Sequence, residues 1–202
     1  MSVSRLSRQS IQAGFPKQQN VWDGISQPAA MDALGSVTVT PSGGVSTITF
    51  SNIPQTYTHL QLRTWTVFTS GGYSTFMQFN GDTGNNYSSH GMYAAGTSPS
   101  TFSSTGVGYT NIEGFWQGHS NTYPYASITD ILDYTNTNKY KVTRSFGGFD
   151  NNSVGEVAIN SGLWFKAGTS GNTSDPITSI NFYINSAQNF AQNTQFSLYG
   201  IK

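Results

Sequence analysis

The 202-residue sequence predicts an all-β protein, an antiparallel two-sheet β-sandwich of jelly-roll type with an extended N-terminal arm. Apolar residues recur at every second position in short runs, the period of a strand with one buried face. Clusters of Gly, Ser, Asn and Pro separate those runs and supply turns. No window carries apolar residues at i, i+3 and i+4 over the length a core helix needs. About ten such runs suit two packed sheets.

Residues 1–35 read as the arm and residues 36–202 as the sandwich domain. In the arm Arg5, Arg8 and Lys17 precede any acid, and Phe15, Val21, Trp22, Ile25, Met31 and Leu34 follow no sustained period. Fully extended at roughly 3.3 Å per residue, the arm could reach on the order of 100 Å. Phe15 and Trp22 are costly to leave in water, which favours docking on a neighbouring subunit through Arg5, Arg8, Phe15, Lys17, Trp22 and Ile25. A leader, or a segment lying on its own domain, is the competing reading.

Val37 and Val39 alternate with Thr38 and Thr40, and Pro41-Ser42-Gly43-Gly44 then predicts a hairpin into Val45 to Phe50. Leu60 and Leu62 lead to Trp65, Val67 and Phe68, and Thr75, Met77 and Phe79 follow the Gly71-Gly72 turn. The Ser/Thr/Gly-rich stretch from Ala94 to Gly108 reads as a long loop. In Ile128 to Tyr134 the acids Asp130 and Asp133 fall on opposite faces, which predicts a bulge. Val157, Ile159, Leu163 and Phe165 share one face, as do Ile180, Phe182 and Ile184, and Phe196 and Leu198 mark a last strand.

Only 9% of the chain is charged, where a typical soluble domain carries about a quarter. Polarity comes from Ser, Thr, Asn, Gln and Gly, a surface suited to durable assembly or sugar contact rather than acid-base chemistry. Nine basic and nine acidic residues balance to a formal net charge of zero, which argues against electrostatic capture of nucleic acid or anionic membrane. The absence of cysteine excludes disulfides, thiolate nucleophiles and cysteine-ligated zinc. No run matches a membrane span or the core of a signal peptide, so synthesis in the cytoplasm of the producing cell is expected.

Asn80-Gly81-Asp82-Thr83-Gly84-Asn85-Asn86 is similar to a calcium loop in its alternating oxygens, but it lacks the later bidentate Glu and its dipeptides are turn formers. His59, His90 and His119 sit in no metal motif. No metal and no cofactor are therefore expected. Glycoside hydrolysis needs two carboxylates at a defined separation, and none of Asp82, Glu113, Asp130, Asp133, Asp150 and Glu156 is singled out. Asp130 and Asp133 are expected to pair with Arg144, Lys139 or Lys141. The expectation is a protein with no catalytic residues. The aromatic cluster Tyr109, Phe115, Trp116, Tyr123 and Tyr125 could stack on sugars near Asn111 and Gln117 or fill a protein interface, unless part of it serves as core.

Several ordered motifs carry a family resemblance. Ser51-Asn52-Ile53-Pro54-Gln55-Thr56-Tyr57-Thr58-His59-Leu60-Gln61-Leu62-Arg63 and Phe79-Asn80-Gly81-Asp82-Thr83-Gly84-Asn85-Asn86-Tyr87-Ser88 resemble a family of tailed-phage virion structural proteins. So do Asp133 to Lys141, Ser161-Gly162-Leu163-Trp164, Ile177 to Ile180 and the terminal Phe196 to Lys202. The resemblance covers roughly residues 37–202 and implies a β-sandwich module of a virion. The resemblance does not fix the position on the particle; a short arm plus one domain makes a capsid decoration, or cement, protein the leading expectation, bound to the major capsid protein or another virion protein as a homo-oligomer such as a trimer. The alternative is a tail or fibre-tip module that binds a host glycan.

Overall fold

The computed structural model describes residues 30–70, 74–112, 123–150, 152, 155–168, 171–184 and 188–202. Of the residues singled out in the sequence, Arg5, Arg8, Phe15, Lys17, Val21, Trp22, Ile25, Gly71, Gly72, Glu113, Phe115, Trp116, Gln117 and His119 lie outside this set.

The described residues form twelve strands and no helix. They are β1 (Met31–Thr38), β2 (Thr47–Phe50), β3 (His59–Thr66), β4 (Thr75–Phe79), β5 (Tyr87–Ala95) and β6 (Ser98–Val107), then β7 (Thr110–Asn111), β8 (Tyr125–Leu132), β9 (Lys141–Asp150), β10 (Gly155–Trp164), β11 (Ile180–Ile184) and β12 (Gln195–Ile201). An eight-stranded sheet has the order β1-β12-β3-β8-β9-β10-β5-β6, and a four-stranded sheet the order β2-β11-β4-β7. Every ladder is antiparallel. The two sheets pack as a β-sandwich.

Alternation fills the space between them. Leu60 and Leu62 of β3 and Phe196 and Leu198 of β12 face Met77 and Phe79 of β4 and Ile180 and Phe182 of β11, all at most 1% exposed. Phe182 meets Phe196 at a ring separation of 4.9 Å and Phe50 edge-on at 6.2 Å. Each of these rings contributes roughly 1.5–3 kcal/mol by leaving water.

Several sequence expectations need correcting. Residues 31–35, assigned to the arm, belong to β1, where Met31 to Thr38 pair with β12 through a bulge between Ala33 and Gly35. The Pro41 to Gly44 turn does not close a hairpin: it carries the chain between sheets, because β1 pairs with β12 and β2 with β11. The stretch read as a loop from Ala94 to Gly108 is mostly the β5–β6 hairpin, turning at Gly96 with a positive φ of 60°, where glycine costs least. The bulge expected within Ile128 to Tyr134 is absent from the β8 ladders, which run in register to Ile131 with β3 and to Leu132 with β9. Asp133 lies beyond the strand, in a turn at φ 49°.

Candidate functional site on the outer face of the large sheet

Six large apolar side chains, Trp65, Met92, Ile128, Phe146, Val157 and Ile159, are between 44% and 57% exposed. Strand pairing places all six on the outer face of the large sheet. Ile128, Phe146, Ile159 and Met92 stand directly opposite one another across β8, β9, β10 and β5. The neighbouring outward row runs Trp65, Ala126, Gly148, Val157 and Ala94. A ridge of large side chains therefore flanks a row that is small at its centre. Between them lies a shallow groove of about 480 Å³ whose walls include Arg63, Ile128, Phe146 and Val157. A Cβ added at Gly148 would lie 2.4 Å from the Glu156 carbonyl oxygen, so the groove floor stays bare.

A polar row borders the ridge on its other side: Tyr199, Gln61, Asp130, Arg144, Ser161 and His90. The Gln61 amide donates to Asp130 at 3.0 Å, Arg63 Nε donates to Gln61 at 3.1 Å, and Arg144 lies 3.8 Å from Asp130. The Arg63 guanidinium also sits 5.2 Å from the centre of the Tyr199 ring. The Asp130–Arg144 pairing agrees with the cross-strand expectation.

Much of the remaining charge serves local structure. Asp82, in the segment similar to a calcium loop, is buried and accepts from Trp164 Nε1 at 2.7 Å, the Gly84 amide at 3.0 Å and Asn86 Nδ2 at 3.0 Å. Burial opposes its ionisation, but those hydrogen bonds and the Lys166 charge hold its carboxyl below the ordinary 3.8. Asp82 thus ties its turn to the core indole of Trp164. Asp133 pairs with Lys139 at 3.0 Å, the main cause of its lowered pKa, and its amide donates to His59 Nδ1 at 2.9 Å. Lys141 departs from the expected acid pairing: its side chain is buried and donates to the carbonyls of Asn136 and Lys139. Burial lowers its pKa.

Of the aromatic residues singled out from sequence, Tyr109, Tyr123 and Tyr125 are among the described residues. Tyr125 is fully buried and packs on Phe149 at 6.2 Å, so it is core and cannot stack on a sugar. Tyr109 stacks on Phe76 at 3.7 Å, and Tyr183 meets Phe76 edge-on at 5.6 Å. These rings cover the outer side of β4, and burial pushes the Tyr183 hydroxyl up to about 12. Tyr123 is half-buried ahead of β8. The ridge itself escaped sequence reasoning, although Val157 and Ile159 had been placed on a common face, because alternation does not say which face meets water. Comparison with protein-family models, with curated proteins and with solved structures returned no match.

Proposed function

We propose that this chain is a structural component of a tailed-phage virion, a capsid decoration protein that binds the assembled shell and stabilises it. The observation that carries this reading is an exposed apolar ridge with a mixed-charge border on a neutral, hydroxyl-rich sandwich. Such patches mark contact surfaces between proteins. Many modest contacts repeated over a lattice would stabilise a shell through avidity, and a surface with few charges keeps them insensitive to salt. The ordered motifs in residues 37–202 that resemble virion proteins support the virion part of this reading.

Strand pairing also supports the jelly-roll reading. Setting aside the β5–β6 and β9–β10 hairpins leaves β1-β12-β3-β8 against β2-β11-β4-β7. The nested pairs β1·β12, β2·β11, β3·β8 and β4·β7 describe one long ribbon rolled into two sheets. The hairpins then widen one sheet and carry four of the six ridge and groove residues: Met92, Phe146, Val157 and Ile159.

The test is the number of copies of this chain per purified particle, read from a quantified protein gel. Hundreds of copies are expected; a handful would move the protein to a tail or fibre tip, and none would overturn the virion reading. Deleting residues 1–29, which stops short of β1, is expected to abolish particle binding while the sandwich still folds. Continued decoration by the truncated protein would reject docking through the arm.

A further inference from the structure

We infer that the ridge and groove on the outer face of the large sheet form a self-complementary contact with a second copy of this chain, two large sheets packing face to face about a two-fold axis. The inference uses the same face that supports the virion reading but commits it to a second copy, leaving attachment to the shell to the N-terminal arm.

The first argument is an inversion of polarity. In β9, β10 and β5 the inward face buries Tyr87, Phe149 and Trp164 toward the strand ends but presents Thr143, Ser145, Asn160, Gly162 and Ser89 between them, whereas Phe146, Val157, Ile159 and Met92 point outward. A sheet surface exposed to water for its own sake would have the opposite arrangement. The second argument is shape. A ridge lying beside a groove on one surface fits a copy of itself after a two-fold rotation, ridge into groove, as an isologous interface requires.

Size and charge agree. The six exposed side chains leave on the order of 500 Å² of apolar surface open, near the upper end for a monomer's largest patch. With their polar border they approach the ~800 Å² per partner of a standard interface. That border pairs Arg144 with Asp130, and Arg63 stands at the end of the ridge opposite Ile128, so a two-fold rotation can bring opposite signs together. A chain of zero formal net charge also meets its copy without long-range repulsion.

Light scattering on the 202-residue chain, from micromolar to millimolar concentration, tests this. The expected mass is twice the 21.8 kDa of the chain. Phe146→Asp and Ile159→Asp should each weaken self-association by about 30-fold or more, the loss typical of a central anchor. Thr47→Asp, exposed on the small sheet, should leave it unchanged. Thermal melting checks that each variant folds, and Ile159→Asp decides alone if Phe146→Asp does not. A wild-type monomer throughout, or a dimer indifferent to both ridge substitutions, would overturn the inference. So would a monomer that dimerises only after deletion of residues 1–29, which would assign the face to the chain's own N-terminal segment. Particle copy number is read separately, so failure of one idea leaves the other standing.

Discussion

Strands β3 and β12 turn Leu60, Leu62, Phe196 and Leu198 toward the small sheet, whereas β9, β10 and β5 turn Thr143, Ser145, Asn160 and Ser89 inward and Phe146, Ile159 and Met92 outward. Both regions belong to one continuous sheet and both alternate with period two. They differ in what covers them. The small sheet offers β3 and β12 a large apolar surface. The inner side of β5 instead meets β7, where Ser89 Oγ lies 3.1 Å from Thr110 Oγ1 and accepts from the Asn111 amide at 3.5 Å. Hydroxyl pairs extend across the inner face, Thr64 with Ser127 at 2.6 Å and Thr129 with Ser145 at 2.9 Å. Buried polar groups satisfied in this way cost little, and the apolar residues of the extension are left free for an external contact.

The sharpest way to break this contrast is to remove one ring from each side. Phe182→Ala should cost ~3–5 kcal/mol in urea unfolding, because Phe182 fills the space between the sheets. Phe146→Ala, measured on the monomer, should stay within about 0.5 kcal/mol. Comparable losses at the two positions would mean that the outer ridge belongs to the folding core.

A smaller effect is expected at Asp82, whose turn joins β4 of the small sheet to β5 of the large one. Asp82→Asn places an amide donor against either the Trp164 or the Gly84 donor, at a cost of ~1–3 kcal/mol at neutral pH. Because the folded carboxyl titrates below the ordinary 3.8, its contribution is present above about pH 4 and fades as pH falls through the folded value. The gap between wild type and Asp82→Asn should therefore narrow in acid; a constant gap would assign Asp82 a packing role alone. The smallest effect is expected at Arg144→Ala, whose exposed pairing with Asp130 should change monomer stability by less than about 1 kcal/mol. A larger loss there would make the border structural rather than a rim of the contact face.

The fold class was legible because period-two runs such as Ile180–Phe182–Ile184 and Phe196–Leu198 report a strand whatever its partner. Their pairing was not. The Pro41 to Gly44 turn looks like a hairpin locally, yet β1 finds β12 more than 150 positions away. The β5–β6 hairpin was missed for a related reason: Ser98 to Val107 is a run of Ser, Thr and Gly with little apolar alternation, and its pairing with β5 supplies the order that composition does not. The site was legible only in fragments. Val157 and Ile159 share one face and Asp130 was expected to pair with Arg144, Lys139 or Lys141, while Tyr125, grouped with aromatics for contact, is fully buried.

The amino-acid sequence by itself determined that this chain is a β-sandwich, neutral and poor in charge, because strand period and composition are local properties of the chain. Only the tertiary structure decided that the β5–β6 and β9–β10 hairpins join one eight-stranded sheet and that Met92, Phe146, Val157 and Ile159 face outward. The physical reason is that burial depends on the opposing layer, and no run of residues specifies which distant strands will cover it.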